Sequence, residues 1–340
     1  MPIRYITRLL FLTLASYAGV AASQNVEQFY SGRTVTILVG SGSGGITDTS
    51  ARVIAAHIEQ EIPGGPTVIV QNMPGGGGVT MTNHLYRSAS KDGSVLGYSL
   101  PAVVTAQLME PNRAKYDVRE LNWIGSAITA TNSLSVISSS PVLTIEDARD
   151  TEVIIGASGR GSLLYQLPAM AKALLGLELR IITGYQGSAE ISLAMERGEV
   201  HGQGAGLDYW AISRPEWLTN GNLVHLLHIG PKDPERAPGV PHLRDLVTSD
   251  RDKALVAFLE IGSNIGWPLF APPSVPVDRV DALRAAFTRL FNNPVFLDTF
   301  QSSMRTPLRP TMGLDLTELV NRAVETPNDI VATAKDVLGL

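Results

Sequence analysis

The sequence predicts an α/β protein of two lobes, each a mixed sheet flanked by helices, with a cleft between them. Three observations predict it. The chain has 340 residues, above the roughly 100–200 of a single domain. From Thr34 onward, β-branched apolar runs alternate with helical patterns in a β-α-β-α-β order, which requires parallel pairing with helices on the sheet faces. After Glu152 the same grammar begins again: strand, glycine-rich turn, helix, strand.

Taken in order, Thr34 to Val39 is β-branched and apolar, a buried strand. Gly40 to Gly45 is a glycine-rich turn, and Thr47 to Ile62 reads as a helix with Ala51, Ile54, Ala55 and Ile58 on one face. Pro63-Gly64-Gly65-Pro66 stops it. Thr67 to Val70 is a second strand, Met73 to Gly78 a second glycine-rich turn before a helix, and Ser94 to Leu100 a third strand. In the second unit Glu152 to Gly156 is a strand, Ala157 to Ser162 a turn and Leu163 to Leu175 a helix. Arg180 to Thr183, the turn Gly184 to Ser188 and the helix Ala189 to Arg197 repeat the pattern. The apolar strands Leu121 to Ile128 and Leu223 to Ile229 are candidates for the connections between lobes. The helix-rich tail from Val277 is expected to pack back on the first lobe. The predicted division is a first lobe of residues 24–126 and 226–340 around a second lobe of 127–225.

The amino terminus has its own pattern. Arg4 and Arg8 precede an apolar run from Leu9 to Val20, and Val20-Ala21-Ala22-Ser23 offers small residues for cleavage. This predicts a signal peptide over residues 1–23; the run is shorter than the ~20 apolar residues of a membrane span. The chain has no cysteine, so neither a disulfide nor a lipidated cysteine is expected, and the exported protein is read as soluble. The formal charge of −5 gives no basic field for nucleic acid, and any anion must be held by a local site.

Gly40-Ser41-Gly42-Ser43-Gly44-Gly45 fits G-x-G-x-x-G between a strand and a helix. A dinucleotide site also needs an acid at the end of the second strand for a ribose hydroxyl, and here that strand ends in Gln71-Asn72. The turn's physics needs no nucleotide. The free N–H groups of a helix start, with the helix dipole, favour an anion, and glycine lets it approach. Four turns share this design, two in each lobe: Ser41 to Asp48, Met73 to Gly78, Ser158 to Ser162 and Tyr185 to Ser188. If both sheets present their strand ends to one cleft, all four converge there. Asp48 is open to two readings, a helix cap or a ligand contact.

No catalytic constellation is evident. There is no cysteine and no G-x-S-x-G elbow. His57, His84, His201, His225, His228 and His242 are scattered, and His225 and His228, three apart on a strand, should point to opposite faces. No metal or cofactor is expected. Tyr165, Tyr185, Tyr209 and Trp210 could stack on an aromatic ligand or belong to the core.

Beyond these patterns, Thr34 to Asp48 followed by Ala51-Arg52 resembles the opening of the Bug-type periplasmic receptors of tripartite tricarboxylate transporters. Val68 to Gly78 is similar to that family's V-V-x-N-x-P-G-A-G-G, Lys91-Asp92-Gly93 to its P-D-G, and Ile265 to Pro272 to its return segment; Asn293-Pro294 also fits. The resemblance covers nearly the whole chain after the leader. It implies a periplasmic-binding-protein-like fold that closes on a carboxylate, a monomeric non-enzymatic receptor, and delivery to large and small membrane subunits. A sensor kinase as recipient, or a Rossmann-type nucleotide enzyme, are the alternatives. Carried over, the ligand-binding candidates in the first lobe are Ser41, Ser43, Gly44, Thr47 and Asp48, with Gly75, Gly76, Gly77 and Gly78. In the second lobe they are Ser158, Gly161, Ser162, Tyr185, Gln186, Gly187 and Asp208. The first turn lacks the family's usual proline and aromatic residues, and Gly202-Gln203-Gly204 stands where the family often has an aspartate.

Overall fold

Strand β1 (Thr34–Val39) has the composition of a central strand, and Val35, Ile37, Leu38 and Val39 are buried. A computed structural model describes residues 25–340; the expected signal peptide lies outside the described residues. β1 is flanked by β2 (Thr67–Asn72) and β3 (Val95–Tyr98), both parallel to it. β2 is an edge strand whose burial alternates residue by residue, the signature of one covered and one open face. β4 (Asn122–Ser126), β10 (Pro268–Ala271) and β11 (Thr311–Met312) complete the sheet in the order β11-β4-β10-β3-β1-β2. β10 runs antiparallel to both neighbours, so the sheet is mixed because the chain re-enters it after visiting the second lobe.

The second sheet is built from β5 (Asn132–Ile137), β6 (Val153–Gly156), β7 (Leu179–Ile182), β8 (Gly202–Gly206) and β9 (Leu223–Ile229), ordered β7-β6-β8-β5-β9. β9 pairs antiparallel with β5 from Leu223 to Ile229. Residues 226–229 therefore belong to the second sheet, and a lobe boundary at 225/226 would cut a paired strand.

Helix Ile46–Ile58 buries Ala51, Ile54, Ala55 and Ile58, as their spacing predicts. It ends before the predicted Ile62, and the next residue, Glu59, accepts the N–H of Val68 at the start of β2 (3.1 Å). Helices Val277–Leu290 and Gly313–Val324 pack on β4, and Pro294–Met304 packs on Ile46–Ile58. Phe287 is fully buried in this core; truncation to alanine there costs about 3–5 kcal/mol. The last helix, Asn328–Leu338, bridges both lobes rather than returning to the first alone. It packs on Leu163–Leu175 of the second lobe and on Asp250–Ile265, because Ile330, Val331, Ala334 and Leu338 join an apolar cluster shared by both lobes.

The crossings between lobes lie side by side. Ala130 N donates to Ser263 O (2.9 Å) and Arg309 N to Ala127 O (3.1 Å). At Gly266 (φ +67°) a Cβ would fall 1.8 Å from the carbonyl oxygen of Ile128, so only glycine lets these two strands of the hinge meet.

Candidate functional site

The turns after β1 and β2 meet at the carboxyl end of the first sheet. A Cβ on Gly40 would sit 2.9 Å from Gly78 Cα. Gly75 to Gly78 all have positive φ (140°, 58°, 65° and 95°), a run of conformations only glycine adopts without strain. Gly75 O accepts from Gly78 N (3.1 Å) and Thr80 N (3.3 Å), which ties the turn to helix Val79–Arg87. The first turn is held by a polar knot. Asp48 Oδ2 accepts from Gly44 N (2.9 Å) and Arg52 Nε (3.0 Å), and Oδ1 accepts from Asn72 Nδ2 (2.8 Å). Asn72 Nδ2 also reaches Ser41 O (3.0 Å). The Arg52 guanidinium, outweighing the effect of burial and helped by Gly44 and Asn72, lowers the Asp48 carboxyl to about 2. Asp48 thus fastens the turn from the first turn of its helix, in the manner of a capping-box acid. Asn72 is consumed by the same knot, at the place where a dinucleotide site needs its acid.

In the second lobe the turn before helix Leu163–Leu175 is closed by serines. Ser162 Oγ donates to Gly159 O (2.8 Å), and Ser158 Oγ lies 2.6 Å from Ser162 Oγ. The N–H groups of Leu163 and Leu164 have no intrahelical acceptor, as at every helix start.

A cleft of ≈ 550 Å³ lies between the lobes. Gly76 and Gly77 line it from the first lobe and Gly161 and Ser162 from the second. Arg113 stands at the glycine turn, its Nη2 3.0 Å from where a Gly76 Cβ would be, and pairs with Glu110. The hinge residues Ala130, Asn132, Ser263 and Trp267 form part of the wall. Trp267 Nε1 donates to Thr47 Oγ1 (3.0 Å), so Thr47 stands directly behind a lining residue.

The other predicted residues are placed elsewhere. Ser41, Ser43, Gly44 and Asp48 lie in or behind the first turn; Gly75, Gly78 and Ser158 flank lining residues without lining the cleft. Tyr185, Gln186 and Gly187 form a neighbouring turn, where Gln186 N donates to Glu190 Oε2 (2.6 Å). Asp208 is buried away from the cleft and accepts from Arg236 and Thr306. Arg236 also donates to Asp233 Oδ2 (2.7 Å), which pairs with Arg309 (3.0 Å). Burial pushes the Asp233 carboxyl up, but its hydrogen bonds and ion pairs with Arg236 and Arg309 outweigh this and leave it lowered. This network ties the second lobe to the tail of the first.

Among the aromatics, Trp210 is fully buried and stacks on Trp217, and Tyr209 hydrogen-bonds Ser192 and Ser188; both are structural. The ring of Tyr165 faces the Arg160 guanidinium. The aromatic residues on the cleft are Phe258 and Trp267. Trp267 sits in the return segment singled out in the sequence, whereas Phe258 and Met170 carry no local signal. His225 bonds Ser135 Oγ (2.7 Å) on β5, while His228 packs edge-on against His242. Among the described residues no group of His, Asp and Glu could hold a metal ion.

A sequence profile of the TctC family, the tripartite tricarboxylate transporter family receptors, matches residues 50–331. The protein BugT of Bordetella pertussis is 27% identical over 249 residues, covering 71% of this chain and 74% of that protein. A protein from the gbd 5′ region of Cupriavidus necator is 27% identical over 238 residues, covering 67% and 68%. Among solved structures, a TctC solute-binding protein from Polaromonas matches with TM-score 0.67 at 18% identity, over 90% of this chain and 98% of that one. An R. palustris protein with adipate matches at 0.65 and 20%, over 90% and 97%. MatC from Rhodopseudomonas palustris with bound malate matches at 0.61 and 19%, over 90% and 99%.

Proposed function

Because the chain belongs to the tripartite tricarboxylate transporter receptors, as a Bug-type solute-binding receptor, we propose that it captures a small carboxylate between its lobes and delivers it to the membrane subunits of such a transporter. One observation carries this reading: glycine-lined helix starts from opposite lobes, Gly76-Gly77 and Gly161-Ser162, face one cleft. Backbone N–H groups and helix dipoles favour an anion there, and a ligand that bridges the lobes draws them together. The volume is within the ~300–1,000 Å³ of small-molecule sites. Relatives of this fold hold adipate and malate, which supports a carboxylate as ligand. In this reading Ser41 and Ser43 reach the ligand only on closure, Thr47 acts through Trp267, and the protein works as a monomer exported to the periplasm, where receptors of this family act.

The test is a thermal-shift and calorimetric screen of the exported chain against mono-, di- and tricarboxylates. A ligand at a hundredfold its Kd adds about 2.7 kcal/mol to stability, so a rise in Tm is expected with one carboxylate class. No shift and no heat from the whole panel would refute the reading.

A further inference from the structure

We infer, resting on the carboxylate-receptor reading, that this cleft selects monocarboxylates with an apolar body of aromatic size over di- and tricarboxylates. Two independent observations carry the inference: the charges on the wall and the side chains opposite them.

Among the described residues that line the cleft, Arg113 is the one cation, and its guanidinium is already paired with Glu110. The wall is therefore formally neutral. One carboxylate can be met by the backbone N–H groups at Gly76, Gly77 and Gly161 and by the start of helix Leu163–Leu175. A second or third carboxylate on the same ligand would enter without a free counter-charge, and a buried unpaired charge is costly.

The rest of the wall suits carbon. Met109, Met170, Phe258, Leu259 and Leu338 line it from four different helices, and all five belong to one buried apolar cluster. Leu163, Gln166 and Met170 lie on one face of a single helix. From Ser162 to Met170 that face runs ~12 Å at 1.5 Å per residue, passing from a hydroxyl and open N–H groups to a thioether. A carboxylate at the first end leaves its body against the partly exposed lining residues Leu100, Pro101, Leu163 and Trp267, behind which Met109, Met170 and Phe258 are buried. Methionine adapts to irregular shapes, so the buried layer can adjust to a ring, and Trp267 offers an aromatic contact.

Calorimetry of the purified chain with benzoate, 3-phenylpropionate, malate and citrate tests this. An aromatic monocarboxylate should bind at least tenfold tighter than malate or citrate. Leu163→Gln, at a partly exposed position on the same helix face, should weaken 3-phenylpropionate at least fivefold more than malate. Leu100→Gln, at a partly exposed lining position of the first lobe, provides a second variant with the same selective loss expected. Equal or tighter binding of malate or citrate would overturn the inference and leave the carboxylate receptor standing. Absence of heat from all four acids while another carboxylate of the wider panel binds would overturn the inference alone, and silence from the whole panel would overturn both.

Discussion

The indole N–H of Trp267 donates to the hydroxyl of Thr47 across 3.0 Å and 220 positions of sequence. The bond joins the segment that re-enters the first lobe to the helix behind the first glycine-rich turn. Trp267 also forms part of the cleft wall. Trp267→Phe and Thr47→Val should each lower stability by about 1 kcal/mol. In a double-mutant cycle their effects should fall short of additivity by at least about 0.5 kcal/mol. Additive losses would mean that the two residues act separately.

Asp208 was legible in the sequence as a ligand contact and is used instead by Arg236 and Thr306. Asp208→Asn should destabilise the protein by about 3 kcal/mol, the low end for a broken buried pair, because Arg236 keeps Asp233. Urea unfolding would measure it. An affinity loss with stability unchanged would return Asp208 to the site.

Gly266→Ala should cost roughly 2 kcal/mol or more, since the new methyl would meet Ile128 O in a backbone conformation that favours glycine. A wild-type melting temperature for that variant would show that the hinge strands can part without loss.

Stability should fall in acid in two windows. Burial pushes His225 to about 4, and burial together with neighbouring His242 does the same to His228. Both are depressed below the ordinary value of 6.5. Neutral burial therefore adds stability above that value, lost as pH drops from 6.5 toward 4. Asp48, lowered from 3.8 to about 2, adds stability above its ordinary value that is lost below it. His242, raised by its hydrogen bond to Glu260, has the opposite sign: its contribution is complete below 6.5 and disappears as pH rises through the raised value. The slope of urea midpoint against pH should be reduced between 6.5 and 4 in each of His225→Asn and His228→Asn, and below 4 in Asp48→Asn. An unchanged slope in any of these variants would contradict the corresponding assignment.

What the sequence made legible was local. Strand, turn and helix follow from β-branched runs, glycine clusters and helical spacing, so β1 and helix Ile46–Ile58, and β6 and helix Leu163–Leu175, stand where the patterns put them. Two of the four glycine-rich turns meet in the cleft for the same reason: their position after a strand is set by chain order. What escaped depends on partners far apart. The pairing of β9 with β5, the helix Asn328–Leu338 bridging to the second lobe, and Met170 and Phe258 coming together in the cleft wall have no periodicity to announce them. Asp48 could be read two ways because its spacing suits both a cap and a ligand; the partners that decide, Gly44, Arg52 and Asn72, come from the turn, the helix and β2.

Gly161 offers the most direct test of the central claim. It lines the cleft, its φ lies outside the left-handed region that favours glycine, and a Cβ there would meet nothing within 4 Å. Gly161→Leu should therefore fold with a wild-type melting temperature while filling the place reserved for the ligand. Calorimetry of wild type and variant against the best carboxylate of the screen should show binding in the first and a loss of at least tenfold in affinity in the second. Undiminished binding by a folded Gly161→Leu would contradict the placement of the ligand between the lobes.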